Sequence, residues 1–297
     1  MSSQKQILLT GATGYVGGQL LPVLLRDGHH VRCLVRDPAR AKLPGDAEVV
    51  RGDVRDGASL AQALDGIEVA FYLVHSMTGT SGDFAAADRE AARTFGRAAR
   101  LAGVPRVVYL GGLDGGPDAA SEHLRSREEV AEVLASHVDG TIHVRAAMVI
   151  GSQSASFRMM RSLVERLPVM IGPRWIDTRS QPVAIRDVVA LLARLATHPD
   201  PPREIELGGA DVLTYREMMS RYATIAGRRI PRVVRVPVLT PRLSSYWVGF
   251  VTPVPPSLAR PLVQGLSAEM IVRRPPPAGF NDDPLGFDDA VRAALAG

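Results

Sequence analysis

A glycine-spaced turn near the start of the chain constrains the fold more than any other stretch. Thr10-Gly11-Ala12-Thr13-Gly14-Tyr15-Val16-Gly17 stands between a short apolar run, Ile7-Leu8-Leu9, and a stretch carrying Val16, Leu20, Val23 and Leu24 on one helical face. A short apolar run stopped by glycine reads as a buried parallel strand, and the periodic stretch from about Tyr15 to Arg26 reads as a helix. Pro22 lies inside it and predicts a kink or lost helix stability. At such a strand-to-helix turn Gly11 permits the tight bend, Gly14 lets the backbone approach a pyrophosphate, and Gly17 allows close packing of helix on sheet. The helix start adds unpaired N–H groups and the positive end of the dipole. Gly11, Thr13, Gly14, Tyr15, Val16 and Gly17 are therefore expected to hold a dinucleotide. The plainer alternative is a glycine-rich turn without a ligand.

The same rhythm continues. Strands are expected at Val31 to Val35, Glu48 to Val50, Val69 to Val74, Arg106 to Leu110 and Thr141 to Arg145. Helices are expected at Phe84 to Leu101 and Ser121 to Ser136. Alternation of this kind implies right-handed crossovers and a parallel sheet covered on both faces. The expected fold is α/β: a doubly wound Rossmann domain over residues 1–150, with 151–297 holding the remaining sheet and helix segments and a smaller substrate lobe. After Gly151 proline becomes frequent. Helices are expected near Ser156 to Arg166, Asp187 to Ala196, Tyr215 to Ala226 and from Asp288, with a strand near Gln181 to Ala184.

Composition narrows the function. The single cysteine, Cys33, excludes a disulfide scaffold, and no histidine spacing suits a metal, so none is expected. A net charge of +4 comes from 33 arginines and two lysines set against 31 acids, with no basic run longer than a pair. A nucleic-acid reader would cluster them, so nucleic acid is not an expected partner. No apolar run approaches a membrane span, and the start lacks a signal-peptide core. A cytoplasmic protein is expected.

The GxxGxxG spacing resembles that of the extended and atypical short-chain dehydrogenase/reductases, nearest to the NmrA-like NAD(P)H-binding group. Gly52-Asp53-Val54-Arg55-Asp56 is similar to the family's segment after the third strand, and Gln181 to Val188 to its later strand-to-helix segment. Leu207-Gly208-Gly209, followed by Leu213 to Glu217, resembles its C-terminal lobe. The resemblance implies that Asp53, with Val54, meets the adenine. Arg36 stands where the second strand ends, the place at which an acid selects the ribose hydroxyl and an arginine a 2′-phosphate. It favours NADP over NAD, with Arg32 or Arg40 as helpers; alternatively Arg36 caps the strand and pairs with Asp37.

The family's tyrosine and lysine, four residues apart, are missing. There is no lysine after Lys42, and the residues four beyond the six tyrosines are Gln19, Ser76, Leu113, Met219, Ala226 and Phe250. The family's serine is replaced by Gly111-Gly112-Leu113-Asp114. On the following helix His123 and Arg127 lie four apart, on one face. They are the candidate catalytic pair, the histidine as acid or base and the arginine as a fixed cation; a solvated helix face is the alternative. His75 and Ser76, after the fourth strand, are candidate cofactor contacts. Arg145 to Gly151 is expected at the nicotinamide and substrate end, with core packing of Met148, Val149 and Ile150 as the alternative. His137, His143 and His198 read as structural or exposed. Leu243 to Val251, with Trp247 and Phe250, reads as a wall for a flat apolar substrate, a peripheral membrane contact, or core helix.

Two functions follow. One is an NADPH-dependent oxidoreductase acting on an apolar carbonyl or quinone-like small molecule. The other is a non-catalytic NADP(H)-binding redox sensor or structural subunit.

Overall fold

The computed structural model describes residues 4–74, 84–113, 122–167, 169–172, 174–235 and 268–297. The first half alternates: β1 (Gln6–Thr10), α1 (Tyr15–Arg26), β2 (His30–Val35), β3 (Glu48–Arg51), α2 (Gly57–Leu64), β4 (Val69–Tyr72), α3 (Phe84–Leu101), β5 (Arg106–Gly112), α4 (Glu122–His137) and β6 (Thr141–Ala146). The second half adds β7 (Val149–Ile150), α5 (Ala155–Arg166), β8 (Val169–Gly172), β9 (Arg179–Ser180), β10 (Val183–Ala184), α6 (Ile185–Thr197), β11 (Glu204–Leu207), β12 (Leu213–Thr214), α7 (Tyr215–Ile225), β13 (Arg232–Arg235) and α8 (Phe287–Ala296).

Seven strands form one parallel sheet in the order β11-β6-β5-β4-β1-β2-β3. This is the Rossmann α/β fold. The central strands are buried on both faces, as alternation in a covered sheet requires. Ile7 and Leu9 join one apolar layer with the buried faces of α1 and α6. Leu8, between them, joins the other layer under α2, α3 and α4. A third cluster is built from α5, α7 and α8 around Phe157, Trp175, Tyr222 and Phe287.

β11 and α2 are among the elements that escape the sequence reading. β11 reads Glu-Ile-Glu-Leu, too acidic to look like a strand, yet it extends the sheet beside β6. Its acids are matched: Glu206 accepts from the Arg273 and Arg274 backbone N–H groups at 2.6 and 3.1 Å, and Glu204 pairs with Arg274 at 2.6 Å. α2 starts where the Asp56 carboxylate caps the Ala58 and Ser59 N–H groups. Pro22 does not end α1, which runs through it as one helix. Interior proline costs roughly 3 kcal/mol, less than burial of Leu20, Leu21 and Leu24 returns at roughly 1.5–3 kcal/mol each.

His143 on β6 is buried, its ring stacked on Tyr109 with centroids 5.3 Å apart. Arg145 Nε donates to His143 Nδ1 at 3.2 Å, so the imidazole is neutral and carries its proton on Nε2. Burial, with Arg145 and Arg127 nearby, pushes its pKa down to about 3. Glu128 comes within 3.9 Å of Nδ1, but its carboxylate is already bound by Arg145. Unfolded chains protonate histidine near pH 6.5. The folded state therefore holds fewer protons between that pH and about 3, and His143 favours the folded state fully only above the window. Urea unfolding at stepped pH should show an extra stability loss of about 1.4 kcal/mol per pH unit on acidification below pH 6. That component should be absent in His143→Gln; an unchanged slope would refute the assignment.

Candidate cofactor and substrate site

The site is built where the strand order reverses. The chain runs outward from β1 to β2 and β3, then crosses back to β4, so a crevice opens beyond the carboxyl ends of β1 and β4, the position at which such sheets take ligands. Thr10 pins the two strands together there: its hydroxyl donates to the Phe71 carbonyl at 2.9 Å and accepts from the Leu73 N–H at 3.1 Å. Gly11 turns the chain at φ +74°, and a β-carbon on it would lie 2.7 Å from the Leu73 carbonyl oxygen. A β-carbon on Gly17 would fall 2.3 Å from the Gly11 carbonyl oxygen, so α1 is seated directly on the turn. Gly14 is the N-cap of α1 and brings no capping side chain. The first-turn amides of Tyr15, Val16 and Gly17 thus remain available to an anion, and the residues fit a pyrophosphate. Thr13 is exposed in the same turn.

Arg36 and Asp53 lie at the ends of β2 and β3, close enough for the Arg36 charge to act on the Asp53 carboxylate. Asp53 is held below the usual carboxylate range by its hydrogen bonds from Arg55, whose Nη2 and Nε stand 2.9 and 3.1 Å away. It is an ionised acceptor. Val54 is half-buried and packs against the layer under α2. Arg36 is exposed, and no hydrogen bond or ion pair joins it to another described residue. Asp37, its suggested partner, instead caps Ala39 N–H and faces Arg40 at 3.6 Å. Arg32 is no helper: its guanidinium is tied to Glu48 and to the Ala63 and Asp65 carbonyls.

Beside the turn lies a cavity of about 320 Å³ at the carboxyl ends of β5 and β6. Tyr15 and Val16 line the side next to the glycine turn, Gly111 and Gly112 lie at the end of β5, and Ala146 to Val149 form one wall. Residues beyond Gly151 supply most of the rest. Met159, Met160, Trp175, Tyr215, Met219 and Met270 line it, together with Ser154 and Ser156 at the start of α5. With Met148, five methionines among the described residues line this space. Sequence reading placed α5 and α7 but not their role; the signal was the adjacent pairs Met159-Met160 and Met218-Met219.

Arg127 reaches the cavity from α4. Its Nη2 donates to the Leu110 carbonyl, its Cζ lies 5.9 Å from the Tyr109 ring centroid, and its buried Nε has no partner among the described residues. His123 stands one turn earlier on α4. Its side chain, His75, Ser76 and the segment from Leu243 to Val251 lie outside the described residues. Arg145 points away and binds Glu128. His137 bonds the Val133 carbonyl at 2.9 Å, and His198 packs on Phe280. Among the described residues no group of acids, histidines or cysteine is placed for a metal, and no helix is long and apolar enough to cross a membrane.

A doubly wound sheet with an anion-binding glycine turn at its switch point defines a dinucleotide-binding protein. The model of the NAD(P)H-binding family matches residues 11–149. The (4-alkanoyl-5-oxo-2,5-dihydrofuran-3-yl)methyl phosphate reductase of Streptomyces griseus is 30% identical over 233 residues, 75% of this chain and 74% of that protein. The 3β-hydroxysteroid dehydrogenase/Δ5→4-isomerase of Mycobacterium tuberculosis is 34% identical over 113 residues, 35% of this chain, and the match spans only 30% of that protein. An NADPH-dependent quinone oxidoreductase of Escherichia coli, solved with NADPH, shares the fold with a TM-score of 0.74 at 21% identity, over 97% of this chain and 99% of that one. The chain belongs to the NAD(P)H-binding family of oxidoreductases.

Proposed function

We propose that the chain is an NADPH-dependent reductase of apolar quinone-like or carbonyl acceptors. The observation that carries this reading is the cavity itself. It adjoins the glycine turn, its walls are mostly methionine, aromatic and aliphatic side chains, and among the described residues that line it the one charge is the Arg127 guanidinium. Methionine walls adapt to flat, irregular apolar bodies and make favourable sulfur–aromatic contacts. Bound NADPH would supply the hydride. The chain's own contribution is to exclude water, to lay the acceptor against the backbone of Gly111 and Gly112, and to aim Arg127 at the oxygen that gains charge. Quinone reduction needs less enzymatic proton delivery than reduction of an isolated ketone, which suits a chain without the tyrosine–lysine pair.

The cofactor choice rests on Arg36, exposed beside Asp53 and suited to a 2′-phosphate. In stopped-flow mixing, wild type is expected to oxidise bound NADPH when a small quinone is added. Arg36→Ala should weaken NADPH binding by about 10–100-fold, the worth of a charge-assisted contact, and leave NADH binding nearly unchanged. Equal losses for the two cofactors would refute the assignment. The missing tyrosine–lysine pair favours a second reading, a redox sensor. NADPH binding without oxidation by any acceptor would establish it, provided oxidised and reduced cofactor bind with different affinities.

A further inference from the structure

We infer that Tyr15 delivers the proton to the reduced acceptor, an inference that rests on the reductase reading. Among the described residues lining the cavity, five side chains carry a polar hydrogen on oxygen or guanidinium: Tyr15, Arg127, Ser154, Ser156 and Tyr215. Arginine does not surrender a proton in proteins. The Ser154 hydroxyl is spent on the Val149 carbonyl at 2.7 Å. Tyr215 is only 4% exposed, wedged edge-on against Trp175, and burial holds its phenol in the protonated form. Ser156 is an aliphatic alcohol, a far weaker acid than a phenol. Tyr15 remains: half-buried, on the side of the cavity next to the glycine turn, and hydrogen-bonded to no described residue.

Its seat is specific. A β-carbon on Gly151 would lie 2.0 Å from the Tyr15 hydroxyl oxygen and 2.8 Å from the ring carbon bearing it. The phenol therefore occupies the space that any side chain at 151 would take. Gly151 directly follows β7, whose Val149 is also part of the cavity wall. A tyrosine on the first residue of α1 thus reaches the substrate space because position 151 is glycine. In the proposed step a hydride from the dihydronicotinamide and the hydroxyl proton of Tyr15 together convert a carbonyl to an alcohol. The acceptor's C–H and O–H bonds would form as its C=O π bond, the dihydronicotinamide C–H and the phenol O–H break; the dihydronicotinamide would be oxidised to the pyridinium, and the phenolate would recover its proton from water. For a quinone the same hydride and proton yield the hydroquinone.

The test compares Tyr15→Phe, Gly151→Ala and the double variant, each checked for an unchanged circular-dichroism spectrum. Tyr15→Phe is expected to lower kcat by about 100-fold, the low end for loss of a general acid. KM and NADPH affinity, the latter read by fluorescence titration, should stay within about threefold, because the aromatic ring and the backbone amide remain. Gly151→Ala should reproduce the kcat loss by displacing the phenol, and the double variant should lose no more than either single one. A readout free of turnover is calorimetric binding of the hydroquinone product to the cofactor-free protein, which Tyr15→Phe should weaken by about fivefold, one hydrogen bond's worth. Wild-type turnover that Tyr15→Phe leaves within about twofold overturns the donor role alone, as does a loss confined to His123→Ala. Additive losses in the double variant, or unweakened hydroquinone binding, also overturn it. NADPH binding with no turnover in wild type overturns the donor role and the reductase reading together.

Discussion

Gly17→Ala should abolish measurable NADPH binding and lower the melting temperature by several degrees. The added methyl would stand 2.3 Å from the Gly11 carbonyl oxygen and 2.8 Å from its carbon, both backbone atoms of the turn. A flexible side chain could swing aside; this backbone cannot move without carrying α1 away from β1. Overpacking of this kind costs roughly 1–3 kcal/mol. The larger effect falls on binding. The three amides at the start of α1 would hold a pyrophosphate only while the helix is seated, so the dissociation constant should rise by at least about 100-fold, the worth of two charge-assisted contacts. Gly28→Ala is the control. Gly28 also has a positive φ, +85°, but a β-carbon there meets nothing within 4 Å. It should cost about 1 kcal/mol of backbone strain and leave binding intact. Fluorescence titration with NADPH and a thermal melt decide; equal binding by both variants would show that the turn does not hold the cofactor.

Arg127→Leu should lower kcat/KM with a quinone by about 100-fold, as removal of a preorganised oxyanion partner does, with NADPH affinity held within about threefold. The guanidinium is fixed before any ligand arrives, through the Leu110 carbonyl and the Tyr109 face, with Nε left over. Arg127→Lys should recover part of the rate, since it restores charge without the planar fork. If leucine and arginine turn over alike, Arg127 is a structural clamp for the end of β5.

The glycine turn was legible because its chemistry is local: three glycines between a strand and a helix admit few structures. The first six parallel strands and α3 were legible too, from apolar runs and periodicity. β11 was not, because a four-residue edge strand with two glutamates looks polar until Arg273 and Arg274 are brought to it from far along the chain. The cavity failed for the same reason. Trp175, Met219 and Met270 meet Tyr15 only in three dimensions, and no spacing joins them. Arg32 misled because its place on β2 suggested a phosphate, whereas Glu48 and two carbonyls near α2 claim it. His143 read rightly as structural, but its buried neutral state depends on the ring of Tyr109 on the neighbouring strand.

The pairing of β11 with β6 also orders the birth of the molecule. A nascent chain emerging from the ribosome can lay down β1 to β6 early, but the edge of β6 stays bare until residues 204–207 emerge. The wall of the cavity built by α5 is synthesised inside that interval, before the sheet is closed. A chain truncated at residue 150 would present β6 as an open edge, the template that other strands join. The seven-stranded sheet is therefore completed only after α5, part of the cavity wall, has already been synthesised.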